Sequence, residues 1–126
     1  MEYSIEKATE VLSKTPSVLE ALLTGLPDEL VYANEGTGTW SPAEVLGHLI
    51  VNEETNFMAR TKIILRGGLN PVLQPINMTE HLERFGNTTV TTLLKTFSDL
   101  RQQNIKTLYA LTVTNEDLSK TALHPK

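Results

Sequence analysis

The sequence predicts an all-α fold on three observations. Apolar residues recur at helical spacing through three long stretches, Ser41-Pro42-Ala43-Glu44 spells a helix start, and no run shows the strict alternation of a half-buried strand. A chain of 126 residues is long enough for one domain with its own core and too short for two, so residues 1–126 read as a single unit.

The first helix is expected from Ile5, Ala8, Val11 and Leu12, which recur on one face. Thr15-Pro16 then offers a cap with proline at the first helical position, so a kink or restart is expected there. The helix continues through Val18, Leu19, Leu22 and Leu23 and stops at Gly25, with Pro27 beyond. The segment from Leu26 to Trp40, with Gly36 and Gly38, reads as loop. At Ser41 the capping box opens a second helix, with proline again at the first position; it is expected to reach Arg66, where Gly67-Gly68 ends it.

Between Leu69 and Asn87 the pattern breaks at Pro71, Pro75 and Gly86, leaving a crossover connection in which MTEHLERF holds at most a short helical turn. A third long helix begins near Asn87 or Thr88 and shows Val90, Leu93, Leu94, Phe97, Leu100, Ile105, Leu108 and Leu111. Thr114 reads as the cap of a short turn around Asn115 to Leu118.

Composition narrows the chemistry. Fifteen acidic and eleven basic residues give a formal charge of −4, and no basic track with interleaved aromatics exists to follow phosphates, which argues against nucleic acid as a partner. There is no cysteine, so disulfides, thiolate metal sites and cysteine nucleophiles are excluded, and a metal would need histidine, carboxylate or water. The chain starts without a basic, then apolar leader and has no apolar window near the roughly 20 residues that a bilayer requires. A soluble, cytoplasmic protein without membrane contact is the expectation.

On the second helix, steps of 100° place Val45, Leu46, Leu49, Phe57, Ile63 and Ile64 on one broad face, expected to meet the core. His48, Asn52 and Asn56, at i, i+4 and i+8, form a polar stripe along its edge, while Glu53 and Arg60 lie nearer the middle. Polar groups at such positions need partners. His48 is the candidate metal ligand, although a lone histidine on such an edge is more often a hydrogen-bonded boundary residue. Asn52 and Asn56 could bond a loop, and for Glu53 and Arg60 a buried or half-buried ion pair linking helices is the better reading. His81, in TEHLER, is expected to be solvated, and His124 sits beside Pro125 near the chain end.

The run WSPAEVLGHL, Trp40 to Leu49, followed by Glu53, Arg60 and Ile64-Leu65, resembles the signature of the DinB/YfiT-like superfamily of metal-dependent enzymes; FSDLRQQNIKTL and DLSKTALHP are similar to that family as well. The resemblance implies a DinB-like antiparallel four-helix bundle with a long connection between helices 2 and 3, commonly dimeric. It also implies a divalent metal, Zn, Ni or Fe, held by one histidine on the second helix and two in an H-x3-H on the fourth. Only the first of these has a counterpart, His48. The expectation is therefore a chain lacking the fourth helix, with an incomplete metal site.

Two functional readings follow. In one, the chain belongs to a metal-dependent enzyme, a thiol-dependent S-transferase or isomerase or a hydrolase acting on a small molecule, with Glu53 or Asn52 supporting the metal ligand. In the other it is a non-catalytic helical binding or dimerisation module with a vestigial site. Three helices presenting Leu49, Phe57, Phe97 and Leu108 would leave an open groove, expected to be covered by a helix from a second chain in a two-fold homodimer or by a segment of the same polypeptide absent from this sequence. Trp40 is expected to pack as a staple against Val45 or Leu46.

Overall fold

Among the described residues six helices follow one another: α1 (Ile5–Leu23), α2 (Asp28–Val31), α3 (Pro42–Thr55), α4 (Phe57–Arg66), α5 (Glu80–Arg84) and α6 (Val90–Ala110), with a 3-10 turn at Asp117–Ser119. The computed structural model describes residues 3–125; Met1, Glu2 and Lys126 of the expected unit lie outside them. Three long rods result, α1, α3 continued by α4, and α6. Among the described residues there is no strand, only one isolated parallel bridge between Val72 and Leu123, which draws the segment after α6 onto the connection between α4 and α5.

The core lies where α6 packs on α1 and α3. Leu46 and Ile50 of α3 meet Leu93 and Phe97 of α6, all fully buried, with Val31 and Ala43 closing one end. Val31 belongs to α2, a turn of helix in a segment whose glycines and polar residues suggest loop; its apolar side chain seals the core beside α3. Leu19 and Leu23 are the half-buried residues that α1 contributes to this cluster.

The expected restart at Thr15-Pro16 does not occur. α1 begins at the Ser4 cap, whose side chain accepts from the Lys7 amide, and runs unbroken with Pro16 inside it. Thr15 does not cap; its hydroxyl donates to the Val11 carbonyl. Pro16 has no N–H for the Leu12 carbonyl, and that oxygen accepts instead from Arg101 Nη1 of α6 at 3.0 Å, so tertiary structure satisfies what the helix cannot.

The second rod starts as its sequence dictates. The Glu44 amide donates to Ser41 Oγ at 3.1 Å, and the Ser41 amide donates to Glu44 Oε1 at 2.8 Å. The rod ends at Gly67, whose φ of 68° lies in the left-handed region. In between it is interrupted at Asn56 (φ −109°, ψ −68°). There the Thr55 hydroxyl donates back to the Val51 carbonyl at 2.8 Å, a competitor to the backbone ladder that commonly bends helices. The observed burial corrects the expected apolar face. Phe57 and Val45 remain 48% and 43% exposed, whereas Asn52, Glu53 and Asn56 are buried.

α6 starts at Val90 behind the Thr89 cap, two or three residues later than expected, and buries Leu93, Phe97 and Arg101. Phe97 is therefore covered rather than exposed in a groove. A smaller apolar cleft of about 200 Å³ does open beside Leu12, Phe57, Met58, Ile105 and Leu108. Thr114 caps the 3-10 turn as expected, its hydroxyl accepting from the Asp117 amide. No helix among the described residues is long and apolar enough to cross a membrane.

Candidate functional site

The polar stripe on α3 is a hydrogen-bonded ladder. Asn56 Nδ2 donates to Asn52 Oδ1 at 2.7 Å, and Asn52 Nδ2 lies 2.9 Å from His48 Nε2 and 3.1 Å from the His48 carbonyl. The two asparagines bond to each other and to His48, not to a loop. His48 Nδ1 is buried without a partner.

His81 is not solvated. It is 1% exposed, and neither ring nitrogen has a hydrogen-bond partner. Within EHLERF, Leu82 and Phe85 give this turn an apolar side, and α5 docks on α3. Gly47 is what permits the approach, because a Cβ there would stand 3.1 Å from Phe85 Cδ2 and 3.5 Å from His81 Cβ. A bidentate pair from Arg84 to Glu54, at 2.6 and 2.8 Å, fastens the outer side; being partly exposed, it contributes modestly. The periodicity of a five-residue helix is too short to announce this burial.

Docking of α5 closes a triangle of rings. The His48 and His81 centroids lie 5.1 Å apart, and Trp40 lies 5.0 Å from His48 and 4.5 Å from His81, the last in an edge-to-face arrangement. Trp40 is half-buried, and these imidazoles are its ring partners; Val45, the position a staple would use, points to solvent. Burial pushes the His81 imidazole below its ordinary 6.5, the nearby His48 lowers it further, and Glu44 works in the opposite direction. His81 also lines a cleft of about 240 Å³ shared with Tyr32, Glu44 and Phe85.

Glu53 forms the expected interhelical ion pair, with a partner not expected from the sequence. Arg101 donates to Glu53 Oε1 through Nε at 3.0 Å and Nη2 at 2.7 Å, while Asn104 Nδ2 donates to Glu53 Oε2 at 2.9 Å and to the Glu53 carbonyl at 2.8 Å. Both carboxylate oxygens are thus engaged. The signal for Arg101 was available: it follows Leu93 and Phe97 at i+8 and i+4, a charge on the buried stripe of α6. Arg60 takes no part and donates to the Gln74 carbonyl at 3.2 Å, and His124 remains exposed at the chain end.

As a donor set for a divalent ion, the pair His48 and His81 offers three buried, unpartnered ring nitrogens of a type that suits borderline ions. Among the described residues no group of three or more His, Cys, Asp or Glu side chains could hold a metal.

No curated protein matches the chain. Its fold is similar to that of a solved structure described as "YfiT from Bacillus subtilis is a probable metal-dependent hydrolase with an unusual four-helix bundle topology", at 20% identity and a TM-score of 0.76, over 98% of this chain and 71% of that one. The model of the DinB superfamily matches residues 12–126, which include the Ser41 cap, the His48 ladder, His81 and the Glu53–Arg101 pair, and the chain belongs to that superfamily.

Proposed function

We propose that the chain is part of a metal-dependent enzyme of the DinB superfamily, a hydrolase or a thiol-dependent transferase or isomerase acting on a small molecule, in which His48 ligates a divalent Zn, Ni or Fe ion. The observation that carries this reading is His48 Nδ1, buried without a partner on a stripe whose other ring nitrogen is held by Asn52. A ligating histidine ordinarily donates its other ring N–H to an oriented acceptor, so ligation through Nδ1 would need the Asn52 amide turned to present its oxygen to Nε2, where its nitrogen now stands. The description of YfiT as a probable metal-dependent hydrolase supports the same chemistry. When bound, such an ion supplies Lewis acidity at an open coordination position.

The chain's own residues divide the remaining work. Asn52 orients His48, Asn56 orients Asn52, and Trp40 covers the imidazoles. Glu53, considered from the sequence as an aid to the ligand, is a brace between α3 and α6, because Arg101 and Asn104 occupy its oxygens. Metal analysis of the purified chain tests the reading: near-stoichiometric Zn, Ni or Fe, lost in His48→Phe, is expected, and an equal content in both proteins would end it.

A second reading, a helical assembly module, is favoured by the outer face of α1. Val11, Val18 and Leu22 recur at i, i+7 and i+11 and are all exposed, Leu22 by 62%. We extend the proposal to a homodimer that covers this face; dimerisation is compatible with a working metal site, whereas a vestigial site is not.

A further inference from the structure

The His48–His81 pair leaves three buried ring nitrogens without hydrogen-bond partners. A histidine buried as fully as His81 ordinarily hydrogen-bonds at least one ring nitrogen, because an unpaired buried polar atom loses its hydration with nothing in return. His81 bonds neither, and the nearest described ring to His48 besides Trp40 is His81 itself. Two imidazoles on one tetrahedral ion, with metal–nitrogen bonds of about 2.0–2.1 Å, have ring centroids about 5 Å apart. The observed separation is 5.1 Å, with the planes inclined at 62°. The two rings come from separate elements, α3 and α5, brought together by the close approach at Gly47.

We infer that His81 is a second ligand, which with His48 forms a two-imidazole site for one divalent ion of the zinc, nickel and cobalt class. The inference rests on the reading of His48 as a ligand and adds to it a residue of the connection between α4 and α6. Water fills further positions, and His81 borders the cleft that Glu44 also lines. Trp40 reports occupancy, since it is the chain's only tryptophan and its ring lies within 5.0 Å of both imidazole centroids.

X-ray absorption on the nickel-loaded 126-residue chain counts coordinated imidazoles without any substitution, and two are expected. In parallel, Ni²⁺ titration followed by quenching of Trp40 emission compares the natural chain with His48→Gln and His81→Gln. Both variants are expected to bind more weakly than the roughly 10- to 100-fold loss typical when a group supporting a ligand is removed. One imidazole in the absorption spectrum, or quenching unchanged in His81→Gln and lost in His48→Gln, would overturn the role of His81 and leave that of His48 standing. No saturable nickel binding by the natural chain would overturn both. Should His81→Gln fail to fold, the imidazole count on the natural chain decides.

Discussion

Arg101 donates to the Leu12 carbonyl at 3.0 Å, the oxygen that Pro16 leaves without its helical donor. The same guanidinium holds Glu53 of α3 through Nε and Nη2 and stacks over Phe97, with 4.9 Å between its central carbon and the ring centroid. One side chain therefore ties all three long rods together at the depth where each is buried.

Removing Arg101 is expected to be costly because it strands a buried carboxylate and a partly buried carbonyl at once. Arg101→Met should lower stability by about 3–5 kcal/mol, the usual loss when one partner of a buried pair is deleted. Pro16→Ala restores an amide for the Leu12 carbonyl, so it should rescue the Arg101→Met chain more than it changes the natural one. A coupling of about 0.5–3 kcal/mol is expected in the double-mutant cycle by urea denaturation, and strict additivity would contradict the shared oxygen.

The Ser41 cap offers a smaller, local test. Ser41→Ala removes the acceptor of the Glu44 amide and is expected to cost about 0.5–2 kcal/mol, seen as a lower thermal midpoint. An unmoved melt would mean that the capping box contributes nothing to α3.

Acid should weaken the metal-free fold through His81. Its folded pKa lies below 6.5, so the unfolded chain takes up the proton first as pH falls. Stability from this group is complete above about pH 6.5, is lost as pH drops below it, and stops falling once the folded imidazole also protonates. Melts in chelator at pH 7.5 and pH 5.5 should differ by more in the natural chain than in His81→Gln. Equal differences would place the acid sensitivity elsewhere.

For the proposed homodimer, Leu22→Glu places a charge on the outer face of α1 without disturbing the core, since Leu22 is largely exposed. Sedimentation equilibrium at micromolar concentration is expected to give a dimer for the natural chain and a monomer for the variant. A monomer in both cases would remove this face as an interface.

Local rules carry far in this sequence where the cause is local. Ser41 and Glu44 start α3, and Gly67 ends the rod that α4 continues, because caps and left-handed turns depend on a few neighbouring residues. Pro16 defeats the same rules, since a donor 85 positions away repairs the helix it should have broken. Phe57 leaves the core because Asn56 interrupts the 100° progression on which its placement depended, whereas Val45, ahead of the interruption, sits off the stripe that buries Leu46 and Ile50. His48 is legible on its polar stripe, whereas the burial of His81 arises from α5 docking at Gly47, a contact between segments whose individual patterns carry no trace of each other.

The ladder on α3 also has a direction. An asparagine amide presents oxygen to one neighbour and nitrogen to the other, so the Asn56 donor fixes which end of Asn52 faces His48. Asn52 Nδ2 also donates to the His48 carbonyl, which reinforces that orientation and makes His48 Nε2 the acceptor, leaving the ring proton of the neutral form on Nδ1. Ligation through Nδ1 moves that proton to Nε2 and requires Asn52 to turn its oxygen toward the ring; Asn56 must then reverse as well, giving its now unpartnered Oδ1 a donor. The state of the imidazole is thus written into two amides running down the helix, and their side-chain NH2 resonances would register a change at His48 from two turns away.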